Sequence, residues 1–159
     1  MAKLRAVRNS KRALTEAEAR EILARADHGV LATVNADGQP YAVPLNHVLV
    51  GDALYAHCAL EGHKLKNIAH EPRVSYCAIE SAEVEPAILS TYYASAIVFG
   101  RAELVADEAE KRTALVRLVE RMGAAMDAKN EAYFARMMAK TAVLRIGIEE
   151  ISGKAHRRG

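Results

Sequence analysis

A histidine, a glycine and a lysine follow one predicted strand closely enough to form an anion site. An apolar run ends in His57-Cys58, the chain bends at Gly62, and a helical pattern begins at His63-Lys64. A strand that turns at a glycine into a helix presents backbone N–H groups at one point, here with a cation beside them. This arrangement predicts binding of a phosphate or another anion. An ordinary strand-loop-helix with a solvated lysine would carry the same pattern.

The chain offers little other chemistry. It shows no nucleophile set, no two-histidine-carboxylate spacing and no Gly-x-Gly-x-x-Gly fingerprint for a nicotinamide cofactor. Cys58 and Cys77 both lie in apolar strand-like runs, where a thiol packs as a small hydrophobe. His28, His47 and His70 have no partners that can be named from the sequence. The redox or acid–base work of such a chain would fall to a bound group.

Composition predicts one globular domain over residues 1–159. The apolar fraction is 51%, the charged fraction is 26% and the net charge is +2, which is too small to favour nucleic acid as a partner. Basic residues gather in 1–13 and 155–159, which we expect to be flexible tails. The longest apolar stretch, 86–100, is interrupted by polar residues and predicts no membrane span. No apolar segment follows the basic N-terminus, so a cytoplasmic location is expected.

Local signals predict the first elements. Thr15 and Glu18 form a capping box that begins a helix, and this helix is expected to end at Gly29. Three strands joined by tight turns should follow and form an antiparallel meander, at residues 30–34, 39–50 and 53–58.

The second half continues with helices and longer strands. A helix is predicted at 63–70, a polar loop at 80–85, a helix capped by Asp107 and Glu110, and a helix at about 130–139. The remaining strands are predicted at 73–79, 94–105 and 141–151. Short strands with helices too few to cover two sheet faces indicate a mainly β, α+β domain, with a small barrel and helices outside it.

Several blocks of sequence occur in a recognisable order and spacing. They are residues 40–46 (PYAVPLN), 55–59 with Gly62-His63-Lys64, 92–102 (YYASAIVFGRA) and 151–154 (ISGK). Together they resemble the pyridoxamine 5′-phosphate oxidase-like FMN-binding split barrels, in the branch of nitroimidazole-resistance and nitroimidazole-reductase proteins. The resemblance runs from about Leu14 to Lys154. It implies a six-stranded antiparallel split β-barrel with peripheral helices, and a homodimer with FMN at the subunit interface.

The resemblance also implies a role for each matching residue. Val43, Pro44, Leu45 and Asn46 would border the isoalloxazine ring, and His57, Cys58 and Ala59 would lie near the ribityl chain and phosphate. Gly62, His63 and Lys64 would form the phosphate-binding turn with Lys64 as the cation, and Ser95 would reach the flavin from the other subunit. His57 is the candidate catalytic residue, although it could equally be a structural histidine. Pro44, which cannot donate a ladder hydrogen bond, could mark a ligand-accessible edge or be an ordinary edge residue.

The chain departs from the true pyridoxamine phosphate oxidases. His63 stands where an arginine is expected, the chain has no Trp, and its C-terminus lacks their substrate-binding pattern. These departures argue against vitamin B6 oxidation. The resemblance instead implies an FMN-dependent oxidoreductase acting on a small aromatic or nitro compound. The alternatives are a flavin carrier or sensor without turnover, and the same barrel holding haem or a deazaflavin.

Overall fold

The computed structural model describes residues 5–158, and within that range the chain forms one eight-stranded sheet and four α-helices. The strands are β1 (Ala13–Leu14), β2 (His28–Val34), β3 (Pro40–Asn46), β4 (Val48–Val50), β5 (Ala53–Cys58), β6 (Arg73–Glu85), β7 (Ser90–Leu104) and β8 (Ala142–His156). The helices are α1 (Glu16–Arg25), α2 (His63–His70), α3 (Glu108–Arg121) and α4 (Ala128–Met138), with 3₁₀ turns at Ser10–Arg12 and Pro86–Ile88.

The sheet is antiparallel and curls around the main core. Its hydrogen-bonded order is β3-β2-β6-β7-β8-β5-β4, and β1 pairs with β8. The concave face carries fully buried side chains such as Leu31, Tyr76 and Ile146, and α1 adds Ile22 and Leu23 to them. The expected α+β split-barrel fold is confirmed. The described sheet has eight strands and not six because β1 and the separate β4 join it.

The predicted strand 39–50 is wrong, and so is the meander built on it. The segment forms two strands at opposite ends of the sheet: β3 pairs with β2, and β4 pairs with β5. The break falls at His47, whose side chain is 1% exposed. The buried His47 ring needs hydrogen-bond partners, and it finds them in the Leu23 carbonyl and the Tyr76 hydroxyl. At this position the chain leaves β2 and pairs next with β5.

The start of α1 follows the sequence prediction and its end does not. Thr15 Oγ1 accepts a hydrogen bond from the Glu18 N–H, and Glu18 closes the capping box by accepting from the Thr15 N–H. The helix ends at Arg25, not at Gly29, because Ala26 is extended and Gly29 already belongs to β2. A Cβ at Gly29 would lie 2.5 Å from the Tyr76 ring, so this glycine permits close packing and does not end the helix.

Two further predictions are corrected by long-range pairing. The expected polar loop 80–85 continues β6 beyond a bulge between Ile79 and Ser81, and it forms a long hairpin with β7. Its side chains are mostly exposed on both faces, so the sequence carries no apolar alternation there. The expected tails are also partly structured: residues 10–13 form a 3₁₀ turn and the first residue of β1, and 155–156 end β8, while positions 1–4 and 159 of the predicted tails lie outside the described residues.

Helices α3 and α4 cover the convex face of β5 and the first part of β8. A second apolar cluster forms there from Tyr55 and Val143 of the strands with Leu115, Leu118 and Phe134 of the helices. Asp107 caps α3 by accepting from the Glu110 N–H, but the predicted reciprocal half of the capping box is absent, because the Glu110 carboxylate accepts from the Tyr55 hydroxyl. None of the helices described is long and apolar enough to cross a membrane.

Removing a buried α1 side chain should destabilise the domain. Leu23 is completely buried, so Leu23→Ala should lower the free energy of unfolding by about 2–5 kcal/mol through lost transfer energy and a cavity. Leu89, 95% exposed, supplies the control, and Leu89→Ala should change stability by less than about 0.5 kcal/mol. Denaturant titrations at one fixed protein concentration make the comparison. Equal losses in the two variants would contradict the assignment of α1 to the core.

Candidate functional site

The N-terminus of α2 is open to an anion. Gly62 precedes the helix with φ of +146°, a conformation that L side chains rarely adopt, and it has no side chain with which to cap the helix. The N–H groups of Leu65 and Lys66 both reach the Gly62 carbonyl. Those of His63 and Lys64 have no acceptor among residues 5–158. Two free N–H groups at a helix start favour a negatively charged ligand.

Lys64 brings a positive charge to the same place. Burial raises the pKa of the Cys58 thiol, and the nearby Lys64 ammonium opposes that rise, which puts the cation next to the end of β5. Lys64 has no carboxylate within 4 Å in the described part of the chain. Its charge is therefore not paired with a carboxylate among residues 5–158.

A polar network ties α2 to the β2–β3 turn. The Nε2 atom of His63 lies 2.7 Å from Asn35 Oδ1, and its ring centroid is 4.1 Å from that of Tyr41. The buried Asn67 amide donates to Asn35 Oδ1 at 2.9 Å and to Thr33 Oγ1 at 3.0 Å. The Nε2 atom of His63 is therefore engaged within the protein, while its Nδ1 atom and its backbone N–H have no hydrogen-bond partner among residues 5–158. No local pattern indicates the Asn35 and Tyr41 contacts, since they join His63 to residues 28 and 22 positions earlier in the chain.

Strand β3 is an edge strand of the described sheet, which confirms the edge prediction made from Pro44. Val43 and Leu45 point towards the core, whereas Pro44 and Asn46 are exposed. The Asn46 side-chain amide donates to the Asp27 carbonyl at 3.1 Å. The four residues therefore offer a ligand two different surfaces and an unpaired strand edge.

His57 and Cys58 point to opposite faces of β5. Cys58 packs against the barrel core, while His57 is exposed on the convex face beneath α3 and α4. His57 borders an apolar cavity of about 350 Å³ between these helices. Among its other lining groups are four methionines, Met122, Met126, Met137 and Met138. Methionine side chains adapt their shape, so the lining of this cavity is apolar and deformable.

Ser95 lies apart from the other candidate residues within one chain. It is on the convex face of β7, opposite Ile79 of β6 and Lys154 of β8. Cys58 is opposite Ala142 at the other end of β8. Positions 142 and 154 are twelve residues apart, roughly 40 Å of strand. Ser95 therefore cannot share a ligand with Lys64 of the same chain unless that ligand is very long.

A buried hydrogen-bond network of His47 and Tyr76, which the sequence did not indicate, contacts the backbone of β3. The Nε2–H of His47 donates to the Leu23 carbonyl at 2.8 Å. The Tyr76 hydroxyl lies 2.9 Å from His47 Nδ1 and 2.9 Å from the Leu45 carbonyl. Burial lowers the pKa of His47, although the Leu23 carbonyl opposes this, and burial raises the pKa of Tyr76. Burial therefore favours the neutral form of His47, and its network extends through Tyr76 to the backbone of Leu45.

Comparison with known proteins agrees with this fold. The sequence profile of the pyridoxamine 5′-phosphate oxidase family matches residues 15–155, and the chain belongs to that family. No curated protein sequence matches significantly.

Solved structures of low sequence identity share the fold. A conserved hypothetical protein of Mycobacterium tuberculosis, Rv2991, has a TM-score of 0.81 at 20% identity, over 96% of this chain and 91% of its own. A candidate 5-nitroimidazole antibiotic resistance protein of Bacteroides thetaiotaomicron has a TM-score of 0.73 at 22% identity, over 89% of this chain and 85% of its own. An FAD-binding protein of Mesorhizobium loti has a TM-score of 0.66 at 27% identity, over 92% of this chain and 98% of its own.

The lowered pKa of His47 predicts a pH dependence of stability. The unfolded chain takes up a proton at His47 near pH 6.5, and the folded chain does so only at lower pH. Stability from this group is therefore present above about pH 6.5 and is lost as the pH falls towards the folded pKa. The free energy of unfolding should decrease between about pH 7.5 and 5.

The variant His47→Gln isolates the contribution of His47. Its free energy of unfolding should lack the part of the decrease between about pH 7.5 and 5 that comes from His47. His70→Gln, which removes an exposed histidine of α2, serves as the control and should keep the parent's pH dependence. Parallel pH profiles for His47→Gln and the parent would refute the assignment.

Proposed function

We propose that this protein binds FMN and uses it to reduce a small aromatic or nitro compound. The observation that carries the proposal is the uncapped start of α2 beside Lys64, a cation without a carboxylate partner among residues 5–158, in a chain of the pyridoxamine 5′-phosphate oxidase family. The likeness to the Bacteroides nitroimidazole resistance candidate favours a nitro compound as substrate.

The residues present fit a flavin mononucleotide. The N–H groups of His63 and Lys64 and the Lys64 ammonium would hold the phosphate, because both kinds of donor favour a dianion. The edge of β3 offers unpaired main-chain groups to the polar rim of an isoalloxazine ring. When bound, the flavin supplies the electron transfer, so the protein needs only to bind, orient and shield it.

His57 and the methionine-lined cavity would serve the substrate. The cavity is mostly apolar and would exclude water around an aromatic ring. His57 is among the few polar groups at its border, and an imidazole can give or take a proton near neutral pH. Its role would be to donate a hydrogen bond or a proton to the molecule being reduced.

The visible spectrum and an anaerobic redox cycle of the purified protein test this function. Flavin absorption, bleaching by NADH or NADPH, and recovery on adding a nitroimidazole are expected. A Soret band would indicate haem, and flavin that bleaches but is not reoxidised by the nitro compound would indicate a carrier. His57→Ala should slow the reoxidation step at unchanged flavin content. Unchanged reoxidation with a large loss of thermal stability would assign His57 a structural role.

Lys64→Ala should weaken FMN through its phosphate. A charge-assisted hydrogen bond contributes roughly 1.5–3 kcal/mol, so FMN affinity should fall about ten- to a hundred-fold. Riboflavin lacks the phosphate and should bind the variant and the parent almost equally. Lys66→Ala removes an exposed lysine from the same helix and is the matched control. An unchanged FMN affinity, or an equal loss for riboflavin, would show that Lys64 is not the phosphate ligand.

We further propose that two copies pair through the convex face of the sheet and complete the flavin site. Three apolar side chains on this face, Val30, Ile79 and Ile97, are 37–47% exposed on adjacent strands β2, β6 and β7. Ser95 shares the face, and its separation from Lys64 within one chain is the reason that a partner copy would have to supply it. Pairing of two copies would bury these three apolar side chains.

Ile97→Glu should prevent this pairing. A carboxylate in the middle of an apolar interface loses its hydration without gaining a partner, so the variant should sediment as a monomer and bind FMN weakly. Val50→Glu is the matched control, because Val50 is 38% exposed and Ile97 is 39% exposed, and Val50 lies on β4 at the far end of the sheet. A parent protein that is monomeric at micromolar concentration and still holds FMN would overturn the shared site.

A further inference from the structure

Two cations converge on one tyrosine at the end of β8 remote from α2. The register of β7 and β8 pairs Ser95 with Lys154 and Tyr93 with His156. The Lys154 ammonium lies 5.5 Å from the centroid of the Tyr93 ring. Strand β1 pairs Ala13 with Lys154, which brings the preceding residue, Arg12, to the same place.

The Tyr93 hydroxyl has an unusual environment. Its oxygen is buried and has no partner of hydrogen-bonding geometry among residues 5–158. Burial raises the pKa of the Tyr93 phenol, but Lys154 and Arg12 outweigh that effect and hold the pKa below its ordinary value. The His156 ring packs edge-on at 6.5 Å between centroids. Lys154 and Arg12 thus both lie near the phenol oxygen, a single neutral acceptor that does not balance their charges.

Nearby carboxylates are already paired elsewhere. Arg158 contacts Glu83 and Glu85, and Arg25 contacts Glu80. Neither Lys154 nor Arg12 has a carboxylate within 4 Å in the range 5–158. The cluster therefore carries two uncompensated positive charges, which an anion would balance.

We propose that Tyr93, Lys154 and Arg12 form a binding site for the oxyanion of a small molecule, a carboxylate or a phosphate group. Arg12 and Lys154 supply the charge, and Tyr93 donates its O–H to an anion oxygen. Within one chain this site and Lys64 lie at opposite ends of β8, whereas in the proposed dimer Ser95, which is paired with Lys154, would bring it near the partner's flavin. It stands whether or not α2 binds a flavin phosphate.

Titration of tyrosinate absorbance tests the site with inorganic phosphate and acetate as probes. The protein has six tyrosines, and the difference between the parent and Tyr93→Phe isolates one of them. A bound anion disfavours the phenolate, so either probe should raise the midpoint of Tyr93 by roughly one unit relative to chloride at equal ionic strength. A larger effect of phosphate identifies a phosphate ligand, and a larger effect of acetate identifies a carboxylate.

Three variants decide the assignment. Lys154→Met and Arg12→Met should each raise the midpoint without probe and weaken the response to the probes, and either one suffices if the other does not fold. Lys64→Met should keep the full response, which separates this site from the proposed flavin site. The proposal is overturned if neither probe acts beyond chloride, if the cation variants respond like the parent, or if Lys64→Met abolishes the response.

Discussion

One buried histidine holds the point at which the two ends of the sheet meet. Between Asn46 and Val48 the chain leaves β3, at one end of the hydrogen-bonded order, and enters β4 at the other end. His47 lies at this crossing with its ring bonded to the Leu23 carbonyl of α1 and to Tyr76 of β6. Because these partners belong to the helix inside the curled sheet and to a central strand, the crossing is fixed to the core. At this crossing β3 also comes close to β5, although the two strands are not hydrogen-bonded neighbours.

The same network reaches the candidate flavin strand. The Tyr76 hydroxyl has one proton and two acceptors at 2.9 Å, His47 Nδ1 and the Leu45 carbonyl. A neutral His47 that donates from Nε2 leaves Nδ1 as an acceptor, so the phenol can satisfy only one of the two at a time. Protonation of His47 would turn Nδ1 into a donor and free the phenol for Leu45, at the cost of a buried charge. The hydrogen bonding of the β3 backbone is therefore linked to the charge of a buried ring.

Sequence signals were reliable where the cause was local. The Thr15 capping box, the glycine bend at Gly62 and helix 63–70 depend on neighbouring residues, and all three are present. The division of 39–50 into two strands was not visible, because it depends on His47 finding Leu23 and Tyr76, 24 and 29 residues away. The extension of β6 was hidden for a different reason: its outer part is solvated on both faces, so no apolar alternation marks it.

The candidate site shows the same limit. The resemblance supplied the residue types, and the strand period of two decided where each points. His57 and Cys58 are adjacent in sequence, yet one borders the methionine-lined cavity and the other lies in the core near Lys64. A ligand that contacts both Lys64 and His57 has to pass round the end of β5, along residues 59–62.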